Sequence, residues 1–144
     1  MTLLQKILAS EKEALKKGEL LKVEVLRYLR SLTKNQEIAK GRDLEEREVI
    51  QIIRKEINNL KEMIEKATLG NRQEIITKSQ AEIKILESFL PKELSDKELD
   101  QFLKSLIAKN LKFAEIMAQS IKEIGESCPP ARIAKRLKEL LSQK

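Results

Sequence analysis

Histidine and tryptophan are absent from the 144 residues, and cysteine occurs once. Without histidine the chain lacks the commonest general base, which excludes serine triads and cysteine–histidine pairs within one molecule. The lone Cys128 closes no internal disulfide, and with no second thiol there is no conventional zinc site. The four glycines stand singly at Gly18, Gly41, Gly70 and Gly125, so no glycine-rich loop is present to cradle a phosphate. No apolar run approaches the length of a bilayer span, and Met1-Thr-Leu-Leu-Gln-Lys6 lacks the basic-then-apolar layout of a secretory signal. These absences lead us to expect a cytoplasmic protein with no membrane partner, no metal and no cofactor.

What is present points to helices. Apolar residues make up 41% of the chain and charged residues 36%, while aromatics supply only 3%, so the core must be aliphatic and the surface densely charged. The expected fold is all-α. A first helix is predicted from Thr2, capped with Gln5, to Lys17, burying Leu4, Ile7, Leu8 and Leu15. A second, from Glu19 to Lys40, repeats Leu21, Val25, Tyr28, Leu29 and Leu32. A third starts after a cap at Asp43 and buries Ile50, Ile53, Ile57, Leu60 and Ile64. A fourth runs from Arg72 to Leu90 through Ile76, Ile83 and Leu86. Each glycine falls where the periodicity breaks and is predicted just past a helix end in the left-handed conformation.

Pro91 then stops the chain as a helix, because it lacks an amide hydrogen and pushes Leu90 out of the helical region. Ser95 and Glu98 have the spacing of a capping box that starts the next helix. The predicted organisation is therefore a multihelical domain of about four helices over residues 1–91 and a small three-helix bundle over 92–144. The bundle's helices carry Leu99, Phe102, Leu103 and Leu106, then Ile116, Met117, Ser120 and Ile121, then a last segment opened by Pro130.

Two basic stripes are candidates for binding an anion. Arg27, Arg30 and Lys34 fall on one face of the second helix, roughly opposite Leu21, Val25 and Leu32, with Glu37 and Lys40 at its border as local ion-pairing alternatives. In the last helix Ile133, Leu137, Leu140 and Leu141 make an apolar face, so Arg132, Lys135 and Arg136 project away from it, with Lys138 at the edge. Only Glu139 offsets that patch locally, and the net charge of +6 favours an anionic partner. The alternative in both cases is a solvated face with no ligand. The glutamates read as caps and solubilising charge, since nothing in the pattern buries one, and Cys128 beside two prolines has no neighbouring base to activate it. No catalytic residue is assigned.

Val25-Leu-Arg-Tyr-Leu-Arg-Ser-Leu-Thr-Lys-Asn-Gln-Glu-Ile38, Gly41-Arg-Asp-Leu44 and Glu82-Ile-Lys-Ile-Leu-Glu-Ser-Phe-Leu-Pro-Lys-Glu-Leu-Ser95 together resemble the GatB/YqeY family. The likeness extends over the whole chain and is nearest to the stand-alone YqeY-like proteins. It implies an all-helical protein related to the C-terminal tail of the tRNA-dependent amidotransferase B subunit, the region that recognises the tRNA body. The resemblance also implies a label of carbon–nitrogen ligase with glutamine as amido donor, although the catalytic parts of such complexes lie in domains this chain does not resemble. Where the family pattern reads Met-Gly-Lys-Val-Met, this chain has Phe113-Ala-Glu-Ile-Met117. Ala114 blocks the close backbone approach that glycine permits, and Glu115 repels phosphate, leaving the final basic helix to carry the contacts.

The expectation is thus a tRNA-binding accessory protein, not an enzyme on its own, with Arg132, Lys135, Arg136 and Lys138 on phosphates and Arg27, Arg30 and Lys34 as a second patch. Two alternatives are a helical protein-interaction module and a component of a glutamine-dependent amidotransferase complex.

Overall fold

The computed structural model describes residues 2–143, and within them the chain forms seven α-helices and no strand. It divides into two compact units, Met1–Leu90 and Pro91–Lys144. The first holds α1 (Leu3–Lys17), α2 (Leu20–Lys40), α3 (Glu46–Leu69) and α4 (Gln73–Glu87). The second holds α5 (Asp96–Ile107), α6 (Phe113–Ile124) and α7 (Pro130–Ser142).

In the first unit, α1 pairs with α2 and α3 pairs with α4 as successive helical hairpins. Their shared core is Leu3, Ile7, Leu26, Leu29, a run of α3 aliphatics from Val49 to Leu60, and Ile83 and Leu86 of α4. The face of α1 differs from the expected one: Leu3, Ile7 and Ala14 are buried, whereas Leu8 and Leu15 are exposed, Leu15 at 59%. Leucines and isoleucines at 3, 4, 7 and 8 form two adjoining apolar stripes, and the position of α2 and α3 selects one. In α2 the stripe likewise turns towards Val23, Leu26, Leu29 and Thr33, leaving Tyr28 at the surface.

The helix ends follow local chemistry. Thr2 with Gln5 and Ser95 with Glu98 both close capping boxes, in which the hydroxyl accepts from the third amide and the third side chain accepts from the cap amide. The cap expected at Asp43 is instead at Glu45, whose amide donates to Glu48 Oε1 at 3.0 Å. Gly18 and Gly41 take the left-handed conformation, with φ of 73° and 68°. Gly70 and Gly125 do not, and at the ends of α3 and α5 that conformation falls to Asn71 and Asn110, the side chains that tolerate it best after glycine.

The second unit has its own aliphatic core of Leu99, Leu103, Leu106, Ile116, Ile133, Leu137 and Leu140, in which Cys128 is fully buried. The Leu94 amide donates to the Ser127 carbonyl at 3.0 Å, tying the segment before α5 to the turn before α7. Among the described residues no helix is long and apolar enough to cross a membrane.

Candidate functional site

The α7 cations stand over α5. Residues 96 and 100 lie one turn apart on α5, and residues 132 and 136 lie one turn apart on α7. Both rungs of the resulting ladder join residues 36 apart, so the two helices run side by side in the same direction. Arg132 Nη2 donates to Asp96 Oδ1 at 2.8 Å, with Glu93 within 3.9 Å of the same guanidinium. Arg136 grips Asp100 with two donors, Nε to Oδ1 at 2.6 Å and Nη2 to Oδ2 at 2.8 Å. Its remaining nitrogen donates to Glu139 Oε2 at 2.8 Å. The guanidinium donating to Asp100 holds that carboxyl below the usual range.

The patch is therefore more neutral than the sequence suggests: acids on α5 offset it in addition to Glu139. Lys135 and Lys138 differ, being exposed and without an ion pair among the described residues. Lys135 lines a cleft of about 420 Å³ with the four ladder residues, Leu99 and Glu139.

The second stripe is on the surface of α2, as its position opposite the core requires, and it too is partnered. Glu11 of α1 accepts from Arg30 Nε at 2.9 Å and Nη2 at 3.1 Å, and lies 3.7 Å from Arg27 Nε. Among the described residues Lys34 has no ion pair, and with Arg30 it borders an open apolar cleft formed by Leu4 and Leu8. The two stripes lie in different units.

Sequence reading missed the partners Glu11, Asp96 and Asp100, which are separated from their arginines by 19 and 36 residues. The matched four-residue steps of Asp96/Asp100 and Arg132/Arg136 were the one signal that could have exposed the ladder.

It also missed a buried glutamate. Glu48, 7% exposed, accepts from Arg42 through both carboxylate oxygens at 2.7 and 3.2 Å, from Lys40, and from the Glu45 amide. These donors, Arg42 first, hold its carboxyl far below the ordinary value. Glu37 accepts from the Leu44 amide at 3.3 Å, and Glu46 accepts from the Leu3 amide at 2.8 Å. The Gly41-Arg-Asp-Leu44 connection is thus a structural corner held by two carboxylates, Glu37 and Glu48, while Glu46 ties the start of α3 to the start of α1. At the start of α6, Ala114 and Glu115 are exposed, and Glu115 accepts from the Lys112 amide at 3.1 Å as an N-terminal cap.

Among the described residues no group of three or more acids and thiols is arranged to hold a metal. The molecule is an all-helical protein whose surface features are charge ladders and shallow clefts. A family model described as Yqey-like protein matches residues 4–137, and the chain belongs to that family. No curated protein matches it.

Proposed function

We propose that this protein is a non-catalytic, tRNA-binding accessory related to the amidotransferase B-subunit tail. The observation that carries the reading is the outer surface of α7, where Lys135 and Lys138, one turn apart, are exposed and unpaired. Lysine needs only charge and reach to contact a phosphate, so an A-form backbone is read by shape. Arg132 and Arg136 act on this surface chiefly by fixing α7 against α5. The stripe on α2 contributes Lys34 most directly, with Arg27 and Arg30 held by Glu11.

The test is tRNA affinity measured across a salt series. Lys135→Gln/Lys138→Gln is expected to reduce the slope of log affinity against log salt by nearly two, at about 0.9 per duplex contact. An unchanged slope would remove α7 from the assignment. Membership in an amidotransferase complex is tested separately, by whether the purified protein alters amidation of misacylated tRNA by the catalytic subunits.

A second reading, a helical protein-interaction module, is favoured by a specific observation. Four of the seven cations expected on phosphate, Arg27, Arg30, Arg132 and Arg136, have carboxylate partners within the molecule.

A further inference from the structure

The first unit contains a groove lined by none of the cations proposed to contact RNA. It is an open cavity of about 380 Å³ between α2, α3 and α4, floored by the buried Leu29, Leu60 and Leu86. Each of the three helices contributes one glutamate to its wall: Glu24, Glu56 and Glu82. Among the described residues none of these carboxylates has a hydrogen bond or ion pair. That sets them apart from Glu11, Glu48, Asp96 and Asp100, each held by an arginine. Burial pushes the Glu82 carboxyl up; Lys78 opposes this, and Glu24 and Glu56 reinforce it.

Apolar surface also remains uncovered here. Tyr28 is 53% exposed and Met63 48% exposed, both at the edge of the groove. Methionine adapts its shape to varied partners, and tyrosine offers a rigid face that also attracts cations. An apolar floor with an unpaired anionic wall, in a chain of net charge +6, matches a cation carried on an aliphatic stem. A helix presenting leucines flanked by lysines or arginines supplies both halves of that match along one face.

We propose that this groove is the docking site for a basic amphipathic helix of a partner protein. Apolar side chains of that helix cover Tyr28 and Met63 above the leucine floor, and its cations pair with Glu24, Glu56 and Glu82. The proposal rests on the protein-interaction reading above and involves none of the cations assigned to RNA.

The chain has one tyrosine and no tryptophan, so intrinsic tyrosine emission reports on Tyr28 directly. The full chain is titrated with a helical peptide of leucine and lysine, and with a second peptide carrying the same leucines and glutamate in place of lysine. The expected result is a saturable change in Tyr28 emission with the lysine peptide alone. Glu24→Gln/Glu56→Gln/Glu82→Gln should weaken that binding about tenfold, as three surface-strength charge pairs of about 0.5 kcal/mol each would. Glu62→Gln/Glu65→Gln/Glu87→Gln, the same charge change at exposed positions, should leave it within about twofold. Met63→Gln, which keeps every charge, should weaken the peptide and leave any response to spermidine unchanged.

Equal losses in both glutamine triples would overturn the proposal, as general attraction of the peptide to surface carboxylates. Spermidine saturating at the peptide's affinity would reassign the groove to a small cation. Self-association that disappears in the groove triple would reassign it to a second copy. Peptide binding with silent Tyr28 emission would remove the groove while leaving the interaction reading in place at another surface.

Discussion

Glu48 carries the sharpest consequence at the scale of single residues. Its folded carboxyl titrates well below the unfolded value of about 4.3, because Arg42, the Glu45 amide and Lys40 all favour the charged form. A depressed carboxyl contributes stability that is fully present above its unfolded pKa and lost as pH falls towards its folded one. The wild-type urea midpoint should therefore drop from about pH 5 downwards, and Glu48→Gln should show a lower midpoint at neutral pH and a flatter fall. Matching slopes for the two proteins over that window would show that Glu48 is not the group responsible. Glycine gives a second contrast. At Gly125 an added Cβ would meet the Ile121 carbonyl oxygen at 2.3 Å, a backbone atom with little room to move. Close approach, rather than a left-handed turn, explains that glycine.

At the scale of elements, helix starts are the best-determined features. Ser95→Ala should cost about 1 kcal/mol in the stability of the second unit, since it leaves a first-turn amide of α5 without its hydroxyl acceptor. The Ser95 amide is the main group that lowers the Glu98 carboxyl, and the variant keeps it while losing the smaller contribution of the Ser95 side chain. Thermal unfolding of the variant, with Ser95→Asp as the restoring control, checks this. These caps were legible because hydroxyl, spacing and carboxylate lie within four residues of one another. The third helix shows the limit of that legibility. Asp43 and Glu46 have acceptable capping spacing, yet Glu45 and Glu48 form the box because Lys40 and Arg42 draw the Glu48 carboxylate inward. Local patterns compete, and the long-range ion pair decides among them.

At the scale of the whole molecule, the described residues form two aliphatic cores, one drawn from residues of the first unit and one from residues of the second. Leu103, fully buried on α5, occupies the second. Leu103→Ala should destabilise by about 2–5 kcal/mol through lost burial and the cavity left behind. For a unit of this size that is a large share of its total stability. Hydrogen exchange should show protection lost across α5, α6 and α7, with the amides of α3 retained. Loss of α3 protection to the same degree would mean that the cores unfold as one.

The helices, their approximate limits and the break at Pro91 were determined by the sequence alone, because periodicity, capping and proline geometry act within a few residues. The candidate cations were also placed correctly on helix faces away from the core: Arg27, Arg30, Lys34, Lys135 and Lys138 are all exposed, and Arg132 and Arg136 partly so. The tertiary structure decided which of two adjoining stripes α1 buries, which cations remain available, and that three unpaired glutamates meet over an apolar floor. Those outcomes depend on what lies across from a side chain. Charge and hydrophobicity belong to the residue, but neutralisation and burial belong to the pair, and the pairs here join positions 19 and 36 residues apart.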